Sequence, residues 1–179
     1  MRRLSLRGAA ALLIFIVVAV TPYCRRKTAR VETVEEDNTQ LASVIQANDA
    51  KASLQLLKGF YEIEQGAWRW TKGQFSVTLK TPPQAGVKGA MLELALTVPE
   101  PVLQRTQTTT ISAVVNGAAL EPETFSKPGQ YIYKRPVPAS ALQAEAVTID
   151  FSLDKFLAAG VVEERELGVI VSSAGLLAQ

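Results

Sequence analysis

The chain has 179 residues, 47% of them apolar and 20% charged, which is room for one ordinary domain with appendages and too apolar for a disordered chain. It holds no histidine and one cysteine, Cys24, so it lacks the usual general base, the usual activator of a nucleophile, the commonest metal ligand and any internal disulfide. The net charge of +2 conceals a segregation: seven basic residues precede position 31, no acid precedes Glu32, and residues 31–179 carry 12 basic against 17 acidic residues, a net of −5, a poor balance for binding nucleic acid.

Residues 8–24 contain no charge, and 9–20 are continuously apolar. These seventeen uncharged residues lie at the lower limit for crossing a hydrocarbon core of about 30 Å, and basic flanks can snorkel to extend the reach. A cleaved signal peptide is the competing reading, but Tyr23 stands where cleavage requires a small side chain. It also spoils a lipoprotein box before Cys24. Residues 1–30 therefore read as a retained single-pass anchor in a bacterial inner membrane. Orientation stays open, because Arg2, Arg3, Arg7 and the amino terminus balance Arg25, Arg26, Lys27 and Arg30 under the positive-inside rule. Residues 31–57 read as a polar, partly helical tether, with Leu41, Val44 and Ile45 at helical spacing.

Residues 58–179 change period. The stretch 59–79 holds both tryptophans and reads as three short strands, broken at Gln65-Gly66 and at Lys72-Gly73. Phe75, Val77 and Leu79 alternate with Ser76, Thr78 and Lys80, the pattern of a half-buried strand. A loop over 81–86 follows. Residues 90–98 form the next strand, with Leu92, Leu94 and Leu96 on one face, closed by Pro99 and Pro101. Residues 108–115 are rich in β-branched side chains and lead into Asn116-Gly117, a strong hairpin signal because both residues tolerate positive φ. Residues 130–137 place Tyr131 and Tyr133 on one face. Residues 138–142 form a helical turn with proline at its start. Val147, Ile149, Phe151 and Leu153 point inward from a strand over 146–153, a loop covers 156–165, and the last strand spans 166–173. Short strands at regular spacing, with turn residues between them and no long helix, specify an all-β fold. The expectation is an antiparallel jelly-roll-like β-sandwich of about eight strands.

Three passages carry a resemblance: Val115-Asn116-Gly117-Ala118-Ala119-Leu120 with Lys127-Pro128-Gly129-Gln130-Tyr131; Arg135-Pro136-Val137-Pro138-Ala139-Ser140-Ala141-Leu142 leading into Val147-Thr148-Ile149-Asp150-Phe151; and Arg165-Glu166-Leu167-Gly168-Val169-Ile170-Val171. Over roughly residues 57–177 the chain resembles the jelly-roll modules of the galactose-binding-like class. In particular it is similar to bacterial β-sandwich domains found beside or fused to glycosyltransferases and methyltransferases of surface-polysaccharide systems. The resemblance implies the fold and, by analogy, an association with carbohydrate. The structural calcium of many such modules has no matching oxygen-ligand motif here.

Trp68 and Trp70 are two apart, so in a strand they face one way and Arg69 the other. Exposed, they make a platform for sugar rings, with Tyr61, Arg69 and Lys72 completing a candidate ligand-binding set and Glu64 a further edge group. The alternatives are two core indoles, or one packed inside and one in a groove of the sheet. Asp154, Glu163, Glu164 and Glu166 bracket one loop. They could hold a divalent cation or supply a glycosidase acid pair, but a solvated loop with a structural ion pair from Arg165 or Glu166 is the better reading. No catalytic residue, metal or cofactor is assigned. The expectation is a non-catalytic, membrane-anchored module that binds carbohydrate or an envelope protein and not nucleic acid. The alternative is a structural interaction subunit with no small-molecule site, and an anchored glycosidase-like enzyme ranks last.

Overall fold

Alternation of apolar and polar side chains dictates most of the observed elements. The structure, a computed structural model, describes residues 40–179, and the expected anchor and residues 31–39 of the tether lie outside the described residues. The strands are β1 (Val44–Gln46), β2 (Leu56–Phe60), β3 (Arg69–Lys80), β4 (Ala90–Val98), β5 (Thr109–Val115), β6 (Ala118–Ala119), β7 (Glu123–Phe125), β8 (Gly129–Val137), β9 (Ala146–Leu153) and β10 (Ile170–Ala178). Two short helices, α1 (Ala85–Lys88) and α2 (Glu100–Thr106), and two 3-10 turns at Ala50–Leu54 and Ala139–Ala141 interrupt them.

The strands form one hydrogen-bonded path that folds back as two layers, because β3 serves both. In the first layer the order is β1-β10-β4-β8; in the second it is β3-β9-β5, with β6 and β7 beside β5 and β2 beside β3. All these pairings are antiparallel. Each connection between consecutive long strands β3, β4, β5, β8, β9 and β10 crosses from one layer to the other, and the first strand lies beside the last. That is the strand order of a jelly roll.

The core lies between the layers. Phe75, Val77, Leu79, Ile149 and Ile111 enter it from the second layer, and Leu92, Leu94, Val98 and Leu176 from the first, all fully buried. Each such side chain contributes about 1.5–3 kcal/mol by leaving water. Phe75 and Phe151 stack at 4.9 Å, and Tyr133 meets Phe151 edge-on at 6.5 Å across the layers. The buried Tyr133 hydroxyl donates to the Glu121 carbonyl at 2.8 Å. Burial pushes its pKa up to about 12 against the opposing pull of the nearby Arg135 guanidinium, because the phenolate would lose its hydration.

Several expectations are corrected. The described part of the tether, residues 40–57, belongs to the sandwich: β1 pairs with β10, and β2 with β3. Three apolar residues at helical spacing cannot nucleate a helix, whereas an open strand edge offers backbone partners at once. Val44 is 46% exposed and Ile45 5%, the alternation of a strand rather than a helix face. The buried Gln55 amide fastens this segment by bonding the Ala42 N–H and the carbonyls of Ala42 and Thr78.

The break expected at Lys72-Gly73 is instead interior to the continuous β3, where the strand passes from pairing with β10 to pairing with β9. A Cβ on Gly73 would lie 2.3 Å from the Phe156 ring, so glycine is required for the close approach. The Gly73 N–H, between its two sheet partners, donates to the Glu166 carboxylate at 2.6 Å. The last strand begins at Ile170 rather than 166 and runs to Ala178. A bulge between Val171 and Ser173 masks its continuation past 173: the inward series passes from Val171 to Ala174 and Leu176, breaking simple alternation. The helices α1 and α2 and strand β7 were not anticipated. The Gln65-Gly66 break, the Asn116-Gly117 hairpin and the turn after Pro138 stand as expected.

Candidate functional site

The site begins with a tight turn before β3. Gln65 and Gly66 both have positive φ, 50° and 67°, and the Ala67 N–H donates to the Glu64 carbonyl at 3.0 Å. This type I′ geometry needs residues that tolerate the left-handed region, and Gly66 does so freely. The hairpin closes through Glu64 and Trp68, with the Glu64 N–H bonded to the Trp68 carbonyl at 2.9 Å. From Trp68 onward, alternate side chains leave the core: Arg69 and Thr71 are buried, Trp68 and Trp70 half-buried, Lys72 exposed.

Trp68 lines an open groove of about 530 Å³ between the hairpin and the outer face of the first layer. The opposite wall and floor come from β4, β8 and β10. Thr97 has Gln130 on one side and Ile170 on the other, and Ala95 lies opposite Ile132. All four of these β4 and β8 residues line the groove, and Ile132 is 60% exposed. Ser172, the extra residue of the β10 bulge, also reaches it and donates to the Ala95 carbonyl at 3.3 Å. Bulges re-aim side chains in this way. No groove-lining side chain is charged at neutral pH. The next outward charges along the strands, Glu93 and Lys134, pair with each other. The Trp68 indole nitrogen is buried without a hydrogen-bond partner among the described residues, an arrangement that costs about 1–3 kcal/mol.

The five candidate residues do not form one platform. Trp70 packs on a small separate cluster, Val102 of α2 with Leu157 and Leu167, the last two joined by mutual backbone hydrogen bonds of 2.9 Å. One indole thus packs on an apolar cluster and the other lines a groove. Arg69 points the opposite way and is 6% exposed. Its guanidinium donates to the Ala47 carbonyl at 2.8 Å, the Tyr61 carbonyl at 3.0 Å and Ser53 Oγ at 2.8 Å. It ties the start of the domain to β3 and is not placed to reach a ligand in the groove.

Tyr61, whose N–H donates to the Trp70 carbonyl at 3.0 Å, and Lys72 lie together beside Trp70. The Lys72 ammonium sits 5.9 Å and the Arg165 guanidinium 5.0 Å from the Tyr61 ring centre. Arg165 also pairs with Glu64 at 2.7 Å and with Glu163. Its hydrogen bonds donated to the Glu163 and Glu64 carboxylates hold its pKa above the ordinary arginine value. Of the loop carboxylates, Glu163 is engaged by Arg165, Glu166 by the Gly73 N–H, and Asp154 by the Thr110 N–H at 2.5 Å. Among the described residues, no group of three acidic or thiol side chains gathers to hold a metal.

Sequence reasoning missed Thr97, Gln130, Ile132, Ile170 and Ser172. Each is an outward residue of a strand, and inward faces were assigned only for the strands carrying Thr97, Gln130 and Ile132. One signal was present: the apolar series Val169, Val171, Ala174, Leu176 slips by one residue, which marks a bulge and lifts Ser172 to the outer face.

No protein-family model matches the chain, and no curated protein sequence matches it. Among solved structures, the chain is similar to the CBM36-1 domain of a multidomain xylanase from the hindgut metagenome of Trinervitermes trinervoides, at 9% identity and a TM-score of 0.40, covering 76% of this chain and 96% of that one. It is also similar to a CBM4 structure, at 11% identity and a TM-score of 0.35, covering 76% and 85%. A third likeness is to the structure of CBM51-2 in complex with GlcNAc and INT domains from Clostridium perfringens ZmpB, at 9% identity and a TM-score of 0.34, covering 76% and 28%. CBM denotes a carbohydrate-binding module. Likenesses this loose carry no weight here, and the jelly-roll architecture rests on the strand pairing itself.

Proposed function

We propose that this chain is a non-catalytic, membrane-anchored β-sandwich module that binds carbohydrate in the groove beside Trp68, in an envelope or surface-glycan system. The carrying observation is a half-buried tryptophan over an uncharged groove of about 530 Å³ that mixes aliphatic, hydroxyl and amide side chains. A sugar ring offers the same mixture: C–H faces that stack on an indole, and hydroxyls at the rim. The groove is within the usual range of small-ligand sites, about 300–1,000 Å³. The absence of histidine from the sequence and the internal engagement of Glu163, Glu166 and Asp154 favour binding over catalysis. The uncharged 8–24 segment supports a single-pass anchor.

The test is affinity electrophoresis of the full chain in detergent through gels loaded with a panel of polysaccharides. The expected result is retardation by at least one polysaccharide, lost in Trp68→Ala with an unchanged thermal transition. Retardation by none, or equal retardation of Trp68→Ala, would reject the reading. A second reading, a subunit that docks an envelope protein, is favoured by β8. Among the described residues this nine-residue strand pairs only with β4, and open edges accept added strands.

A further inference from the structure

The groove's chemistry narrows the ligand class, given the carbohydrate reading on which this step rests. We infer that the groove takes an uncharged glycan and rejects uronate, sulfate and phosphate substituents. Its polar side chains are Thr97, Gln130, Ser172 and Tyr131, the last donating its hydroxyl to the Lys127 carbonyl, and Trp68, Ile132 and Ile170 supply much of its apolar surface. Hydroxyls and an amide exchange hydrogen bonds with sugar hydroxyls at little net cost. They cannot neutralise an anion, and burying an ionised group without a partner is far more costly than burying a hydroxyl.

The cations around the groove do not remedy this. Lys134 is paired with Glu93. Arg165 is paired with Glu64 and Glu163. Arg69 is buried on the opposite face of β3, committed to Ala47, Tyr61 and Ser53. Lys72 sits over the Tyr61 ring, and neither residue lines the groove. The net charge of the described residues does not assist an anion either: residues 40–179 carry 12 basic against 13 acidic residues, a net of −1. The acidity noted for residues 31–179 resides mainly in Glu32, Glu35, Glu36 and Asp37, outside the described residues.

Two consequences follow. Binding should be insensitive to salt, because no ion pair is screened. A carboxylate placed in the groove should be as damaging as one on the ligand. The experiment is a glycan array probed with the full chain in detergent. The array pairs neutral glycans with uronate-, sulfate- and phosphate-bearing counterparts, including dextran with dextran sulfate and hydroxyethylcellulose with carboxymethylcellulose. It is read at low salt and at about 1 M salt, where screening acts within about 3 Å. The expected signal falls on neutral glycans, changes less than about twofold with salt, and drops by roughly tenfold or more in Ile132→Asp. Ile132 is largely exposed, so that variant tests the groove without emptying the core. Trp68-dependent binding confined to acidic glycans and abolished by salt would overturn the inference and leave the carbohydrate reading standing. Binding to no glycan would overturn the carbohydrate reading and the inference with it.

Discussion

Trp68 and Trp70 leave the same face of one strand, two residues apart, and meet different surroundings. Trp70, half-buried, packs against Val102 of α2 and against Leu157 and Leu167, a small satellite core. Trp68, equally half-buried, has no such cluster beside it: its neighbours are the outward side chains of β4, β8 and β10, and between them lies a groove. The indole is the same in both places. What differs is whether later segments of the chain return to that part of the sheet. A tryptophan's role is therefore decided by elements distant in sequence, and Val102 and Leu167 do as much to define the site as Trp68 does.

Four perturbations would break or sharpen the contrast. The largest effect is expected from the residue between the two indoles. Arg69→Ala leaves two carbonyls and Ser53 without their donor, which should cost about 3–4 kcal/mol, measured by urea denaturation. An unchanged midpoint would mean that the 40–57 segment is not fastened through Arg69. Next, Trp70→Ala should lower stability by about 3 kcal/mol through loss of packing on Val102, Leu157 and Leu167, without altering groove chemistry. A variant of normal stability would place Trp70 with Trp68 in function.

The third concerns the shared core. Tyr133 has a folded-state pKa raised from about 10 to about 12, so the native state keeps a proton that the unfolded chain has released. Stability should be undiminished below pH about 10 and fall as pH rises through about 12. Tyr133→Phe should flatten that limb in thermal melts, and a limb unaffected by the substitution would assign it to other groups. The smallest stability effect belongs to Trp68→Ala, under about 1 kcal/mol, since it borders open space and its buried N–H is already unpartnered. A larger loss by calorimetry would make Trp68 a structural residue.

Much of the architecture could be read in advance because β4, β5, β8 and β9 alternate cleanly and are bounded by proline, glycine and Asn-Gly. The failures share a cause: each depends on a partner far along the chain. Gly73 read as a break, yet it lies inside a continuous strand, with the Phe156 ring and the Glu166 carboxylate against it. Val44 and Ile45 suggested a helix, yet the edge of β10 was waiting for them. For the site, Trp68 was visible and the split between it and Trp70 was among the alternatives weighed. The rest of the groove was hidden, because an outward threonine, glutamine or isoleucine looks like ordinary strand surface until neighbours are known. Arg69 was drawn toward the site by its position between the tryptophans, and the strand's own alternation turns it inward.

The most direct measurement uses the fact that the chain has only two tryptophans, so NMR of the full chain in detergent micelles should show two indole N–H signals, assigned with Trp70→Phe. A mixture of neutral oligosaccharides should shift the Trp68 signal in a saturable way and leave the Trp70 signal in place. Movement of the Trp70 signal alone, or of neither, would contradict a carbohydrate site at Trp68.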